Sequence, residues 1–332
     1  MSSVETLVKW QGSVASRRSR LPWWFAGFLL LLVLFGPLLV NNVPLAARVD
    51  GSWSFPALVD LVATPPPGPE DSSWTAWSDR LAEDSEDFAV FPLWPYGPSE
   101  VNAEMMLAAP SWAHPFGNDD TGRDILARVV RGARITIGVS LLGVLLAAVI
   151  GVSLGALAAV RGGVVDWLVL RLVETFMCFP TLLLLLVTAA FFGSSVVSLV
   201  VAFALVMWSS FARIVRGELL AMREREFVRI ARGLGVSNLR LLFGHLLPQV
   251  RGQIGVTAAF CVAAAVVAEA TLSFLGIGPG VQGGSWGSIL AQGKDNAHFG
   301  LWHLWLFPGI AIVATVVCCH ALADRLRPVE SR

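Results

Sequence analysis

The chain has 332 residues, 55% of them hydrophobic and only 14% charged, with 24 Lys plus Arg balanced by 24 Asp plus Glu. Soluble domains carry about 25% charged residues, so this composition, with a mean hydropathy of +0.67, excludes an ordinary soluble fold and places the chain in a membrane. Zero net charge leaves no basic footprint for nucleic acid. Cys178, Cys261, Cys318 and Cys319 lie inside apolar runs, with neither disulfide nor zinc spacing.

Residues 1–22 hold Lys9, Arg17, Arg18 and Arg20 against Glu5, and are followed by uninterrupted apolar sequence over 23–40. That run suffices to span a bilayer, and the basic flank places the N-terminus in the cytoplasm. A cleaved signal peptide is the alternative, although its apolar core would be only about 7–15 residues long. Residues 41–122 change character: thirteen acidic residues, from Asp50 to Asp120, face only Arg48 and Arg80, among Pro65–Pro67, Trp53, Trp74, Trp77, Trp94 and Tyr96. This reads as a large extracytoplasmic loop whose Pro and Gly content hides any fold. Its acidic face either attracts basic peptides or is a solvated surface. Next come His114–Asp124 and then Arg128, Arg131 and Arg134, with Thr121 or Asp120 as candidate cap of a short interfacial helix. The arginines are read as partners of Asp119, Asp120, Asp124 or lipid headgroups, with contact to a protein docking from outside as the alternative.

The second span is predicted over 135–160, where Gly151 and Gly155 form a small-xxx-small step for close helix approach. After an inner turn at Arg161–Asp166, 167–192 forms the third span, kinked at Pro180, with Arg171 and Glu174 an i,i+3 ion pair. Gly193–Ser195 turns outside, and 196–211 returns as the fourth span.

The segment 217–250 is polar and Arg-rich between two apolar runs. Phe227, Ile230, Ala231 and Leu234 share one helical face, and Arg225, Arg229 and Arg232 share another. Gly235 stands where a left-handed cap favours glycine, Ser237 is placed to cap a second helix carrying Leu239, Leu242, Phe243 and Leu246, and Pro248 is expected to stop it. Helix, glycine, helix and proline make a rigid bracket. Eight arginines from Arg213 to Arg251 against Glu218, Glu224 and Glu226 put it on the cytoplasmic side, as does counting spans.

Residues 254–275 form the fifth span, interrupted by Glu269, a costly charge that must face protein or water. A Gly-rich outer loop follows over 276–300, then the sixth span over 301–323, anchored inside by Arg325 and Arg327. No phosphate-binding Gly-x-x-x-x-Gly-Lys-Ser/Thr, His-Glu-x-x-His or Gly-x-Ser-x-Gly occurs, and the five histidines are scattered, so neither ATP binding nor a metal site is assigned to this chain. An intramembrane enzyme would need paired catalytic groups at one depth, which the spans do not supply.

Glu226-Phe-Val-Arg-Ile-Ala231, Gly235 and His245-Leu-Leu-Pro248 resemble the cytoplasmic coupling loop of ABC importer permeases of the dipeptide/oligopeptide branch. The family's Glu-Ala-Ala triplet reads Arg229-Ile230-Ala231 here. Gly117-Asn-Asp-Asp-Thr-Gly122-Arg123-Asp124 is similar to that family's Gly-Thr-Asp-x-x-Gly-Arg-Asp signature, with Asn118 replacing the threonine and Asp119 retained. Glu269–Gly276, including Ser273, matches a family motif, read as gate or packing. The 50–56 and 91–96 segments look like the enlarged loop of the microcin-C type of permease.

The resemblance implies a type I importer permease: an all-α polytopic protein with six transmembrane helices and a large extracytoplasmic loop after the first. Its parts are 1–22 (cytoplasmic N-terminus), 23–40 (first span), 41–134 (loop and interfacial segment), 135–324 (permease core, with 217–250 as coupling loop) and 325–332 (cytoplasmic C-terminus). It further implies a non-catalytic subunit of the bacterial inner membrane, surrounded by lipid and moving peptides or peptide-like solutes, with nickel or another small solute as the alternative. Its partners would be a homologous permease subunit, ABC ATPase subunits carrying ATP and Mg, and a periplasmic or lipoprotein solute-binding protein. Glu226, Arg229, Ala231, Gly235, His245 and Pro248 would form the ATPase-coupling set.

Overall fold

The computed structural model describes residues 21–49, 51–60, 74–75, 87–279, 284–296 and 300–327. The basic N-terminal flank, Pro65–Pro67, Trp77, Arg80 and His298 lie outside them. Five helices are long and apolar enough to cross a membrane, or up to six crossings if one bent pair counts as a span.

The first helix, α1 (Leu21–Leu39), leads into a small antiparallel sheet of order β2–β1–β3, built from β1 (Ala46–Val49), β2 (Ser52–Ser54) and β3 (Phe88–Val90). Ala47 is buried there with Val43 and Trp74. The acidic loop therefore has a nucleus of its own, which its Pro-rich sequence conceals, and the all-α description holds for the membrane core alone.

The next helix, α2 (Ile125–Arg161), runs for 37 residues and starts ahead of the 135 boundary expected from hydropathy. Neither Thr121 nor Asp120 caps it. Asp124 does, accepting the Ala127 N–H at 2.8 Å. No separate interfacial helix precedes it: the turns holding Arg128, Arg131 and Arg134 are simply the first of the long helix. They remain helical because Asp119 and Asp60 neutralise their charges, so the helix need not begin where the apolar sequence begins.

Helices α3 (Gly163–Cys178) and α4 (Thr181–Phe192) meet at an angle of 93°. A kink was the expectation at Pro180; the chain instead breaks, because Phe179 adopts the extended conformation a following proline imposes (φ −92°, ψ 140°). Helix α5 (Val196–Arg223) packs along α2, the most extensive helix pairing in the molecule. The glycine step sets this contact: a Cβ at Gly151 would lie 2.6 Å from Phe211 Cβ and closer still to the Trp208 carbonyl. Arg216 of α5 grips Asp166 at the start of α3 with Nε and Nη2 at 2.5 and 2.7 Å.

The remaining elements are α6 (Glu226–Gly233), α7 (Asn238–Leu241), α8 (Leu247–Phe274), α9 (Trp286–Asp295) and α10 (His303–Leu326). Helix α9 lies where only a Gly-rich loop was expected, and it packs against α8 and α10. Trp286 anchors it, fully buried, its indole N–H donating to the Val129 carbonyl of α2 at 2.8 Å.

Candidate functional site

The bracket 217–250 takes its shape from three local devices. Gly235 sits at φ 79°, in the left-handed region, and lets the Val236 N–H fold back onto the Ala231 carbonyl at 3.1 Å. Ser237 then caps α7 through the Arg240 N–H. A π turn over Leu242–Leu246 joins α7 to α8, so Pro248 does not stop a helix but lies in the first turn of α8. Proline is tolerated there because the wider turn holds the preceding carbonyl off its ring, and a first-turn residue needs no N–H partner.

These turns give the bracket two faces. Val228, Leu241, Leu242, Leu246 and Val250 are buried against Val215, Leu219 and Met222 of α5 and Ala156 and Ala159 of α2. The opposite face is apolar too, yet open: Ile230 is 57% exposed, Leu234 80%, Leu239 66% and Phe243 66%, with Phe227 beside them. The stripe read from the sequence thus divides. Of Phe227, Ile230, Ala231 and Leu234, only Ala231 turns toward the core, while Val228, outside that stripe, is fully buried. In the second helix, Leu242 and Leu246 go in and Leu239 and Phe243 stay out, on opposite sides of the π turn. Glu226, Arg229, His245 and Pro248 are all exposed on the same bracket.

The signature segment builds the reverse. Asp119 is fully buried and accepts five hydrogen bonds: the N–H groups of Thr121 and Arg123 at 2.9 Å, the Thr121 hydroxyl at 2.8 Å, Arg123 Nε at 2.7 Å and Arg128 Nη1 at 2.5 Å. Burial by itself would raise its carboxyl, but the Arg128 charge and these donors outweigh it and hold the group below its ordinary value of 3.8. Arg128 also donates to Gln292 of α9. Asp124, while capping α2, also accepts a hydrogen bond from His114 Nδ1 at 2.8 Å, with the Tyr96 ring tilted over the imidazole at 4.3 Å. Gly122 (φ 81°) lies so close to Asn102 that a Cβ would collide with its carbonyl, and Gly117 (φ 75°) would meet the Ala108 carbonyl at 2.6 Å. The expectation that the arginines pair with nearby acids is met for Arg123 and Arg128. Arg131 reaches instead to Asp60, at 2.6 Å, and Arg134 to the Asp60 carbonyl at 3.2 Å. Asp60 and Gln292 were missed; one is lost among many acids, the other lies in the unrecognised α9.

Glu269 is fully buried in α8, with the Ser273 hydroxyl donating to Oε1 at 2.6 Å and the Thr136 and Ser285 hydroxyls facing its carboxyl. The Trp286 N–H donates to Thr136 at 3.3 Å, so Glu269 lies at the junction of α2, α8 and α9. Gly276 (φ 82°) ends α8, and the Ile277 N–H bonds the Leu272 carbonyl at 2.8 Å. Arg171 and Glu174 form the expected i,i+3 pair at 2.7 Å on an exposed face of α3.

The family model described as binding-protein-dependent transport system inner membrane component matches residues 151–329, which contain the bracket and Glu269. A peptide permease protein of Brucella suis biovar 1 is 41% identical over 245 residues, covering 72% of this chain and 81% of its own. Dipeptide transport system permease protein DppC of Alkalihalophilus pseudofirmus is 34% identical over 229 residues, covering 69% and 75%. Among solved structures, a chain of the inward-facing MetNI methionine ABC transporter matches with a TM-score of 0.50 and 20% identity, covering 60% of this chain and 95% of that one, a likeness of fold.

Proposed function

The chain belongs to the family of binding-protein-dependent transport system inner membrane components, and from that premise we propose that it is the non-catalytic permease half of an ATP-driven importer of peptides. The observation that carries the reading is the open apolar ridge Phe227–Ile230–Leu234–Leu239–Phe243, displayed on a bracket whose other face is packed into the membrane core. Large apolar side chains grouped on one rigid exposed surface mark a protein interface.

In this reading the ridge, with Glu226, Arg229 and His245 beside it, seats in a cleft on an ABC ATPase subunit that binds ATP and Mg. Ala231, Gly235 and Pro248 set the shape that presents it. Closure of the ATPases then moves the bracket as a body, and the buried face carries that movement into α5 and α2. The coupling energy comes from the difference between the ridge's contacts with open and closed ATPases. A homologous permease completes the pathway, and a solute-binding protein delivers peptide from the opposite side of the bacterial inner membrane. Both termini and the bracket are cytoplasmic, and the Asp119 knot is outside.

The test is to purify the tagged chain from its own membrane in mild detergent and identify what comes with it. An ABC ATPase and a second permease are expected; when Leu234→Asp and Phe243→Asp are combined, the ATPase should be lost while the permease stays. Recovery of the ATPase with the double variant overturns the role given to the ridge.

A further inference from the structure

A cleft of about 430 Å³ opens between α5, α8 and the α3–α4 break. Two helices supply matched faces at i, i+3/i+4 and i+7: Val206, Ser209/Ser210 and Arg213 from α5, and Thr257, Phe260/Cys261 and Ala264 from α8. The third wall is the break itself, with Phe176, Phe179 and Thr181. Its size suits a ligand of a few residues, since small-molecule sites run to about 300–1,000 Å³.

Arg213 is the one charged side chain lining the cleft. Its partners are what set it apart. The other two arginines of α5 are engaged: Arg216 holds Asp166 with two nitrogens, and Arg223 donates to the Ala159 carbonyl at 3.2 Å. Arg213, one turn from Arg216, is exposed and makes no hydrogen bond or ion pair among the described residues. An exposed guanidinium at the lip of a cleft, on the Arg-rich side of the chain, is placed to receive an anion, and its planar fork suits a carboxylate. The walls add the rest of a peptide site. Thr257 donates its hydroxyl proton to the Gln253 carbonyl at 2.8 Å, which leaves its oxygen as an acceptor for a peptide N–H. Phe176 and Phe260 offer apolar faces held in place by edge contacts with Trp208 and His320 at 5.6 and 5.2 Å.

Resting on the reading of the chain as a peptide permease, we propose that this cleft is a solute site in which Arg213 receives the C-terminal carboxylate of the peptide. The permease would then select for a free C-terminus by itself, independently of any binding protein.

The experiment uses the assembled importer, purified through this chain into lipid nanodiscs without its binding protein, and measures binding of radiolabelled alanyl-leucyl-phenylalanine and of its C-terminal amide. The free acid should bind about tenfold more tightly, the scale of one charge-assisted hydrogen bond at a partly wet site. Arg213→Gln should bring the ratio near one, and Arg213→Lys should restore part of it. Because Arg213 has no partner to strand among the described residues, neither variant should disturb assembly, and co-purification of the ATPase is the check. An unchanged ratio in Arg213→Gln, or no peptide binding by the wild-type complex, overturns the proposal, as does an Arg213 effect that depends on anionic lipid and not on peptide. Binding-protein-dependent uptake into proteoliposomes separates the two levels: uptake with an unchanged acid-to-amide ratio sinks only the Arg213 site, whereas absence of both uptake and ATPase sinks the importer reading.

Discussion

The knot at 114–124 and the bracket at 217–250 stand at opposite ends of the α2–α5 pair and treat their side chains in opposite ways. The knot turns charge inward and satisfies it within the chain: every oxygen lone-pair direction Asp119 can offer is met, and Arg128 ties it to α9. The bracket buries only aliphatic groups and leaves large apolar ones outside. One region is complete as it stands, the other is shaped for something else to cover. The difference predicts that substitutions in the knot are read as stability and substitutions on the ridge as partner binding.

The largest effect is expected from Asp119→Ala. Removing one member of a buried ion pair leaves Arg128 uncompensated and typically costs about 3–5 kcal/mol, so the detergent-solubilised chain should lose most of its thermal stability. The pH dependence follows with a definite sign. Since the folded state holds the Asp119 carboxyl below 3.8, its contribution is fully present above that value and is lost as pH falls through the lower folded value. The melting temperature should therefore be flat from about pH 7 to 5 and drop below about pH 4, a drop absent in Asp119→Asn. A variant as stable as wild type would end the claim that the knot is self-sufficient.

Next is Gly151→Val, which tests whether the two regions are joined by a tight helix pair. The added methyls meet Phe211 and the Trp208 carbonyl, and overpacking of this kind costs about 1–3 kcal/mol. Chemical denaturation should register it, and Gly138→Val on the same helix, where nothing lies within 4 Å, should be nearly silent.

Much of this was legible in the sequence, for physical reasons. Gly151 and Gly155 announce a close approach because only small residues leave room for it, and Gly235 announces a left-handed turn because other residues resist one. The apolar runs announce spans because a bilayer demands length. What was hidden depended on distant partners. Asp60 cannot be told from the other acids of its loop until Arg131 is seen to reach it. Helix α9 has too many glycines nearby to declare itself, and exists because Trp286 finds a slot against Val129. The start of α2 was misplaced because charge neutralised by Asp119 reads, in sequence, as charge facing water. The π turn at Leu242–Leu246 was misread for a related reason: it alters which side of the bracket each leucine faces, and periodicity assumes it away.

Gly235→Val is a smaller perturbation and isolates the bracket's backbone. No atom lies within 4 Å of where its Cβ would stand, so the whole cost is that of placing a β-branched residue at φ 79°, about 1–2 kcal/mol. Gly235→Asn, which tolerates this region, should recover most of it. If valine and asparagine behave alike, the turn is not what fixes the angle between α6 and α7.

The smallest effect on stability is the one that sharpens the comparison most. Leu234 is 80% exposed, and Leu234→Ser removes an apolar side chain that the chain itself does not pack. Surface substitutions of this sort change stability by no more than about 0.5 kcal/mol, so the melting curve should superimpose on that of wild type. A buried leucine made serine would instead cost several times more, through lost transfer energy and the cavity left behind. The same variant should still lower retention of the ATPase if the ridge docks there as proposed, because the exposed side chain is then missing from that contact. Loss of binding with an unchanged melt separates an interface from a core more cleanly than any large effect could, and a lowered melt would mean that Leu234 belongs to the fold and the ridge has been misassigned.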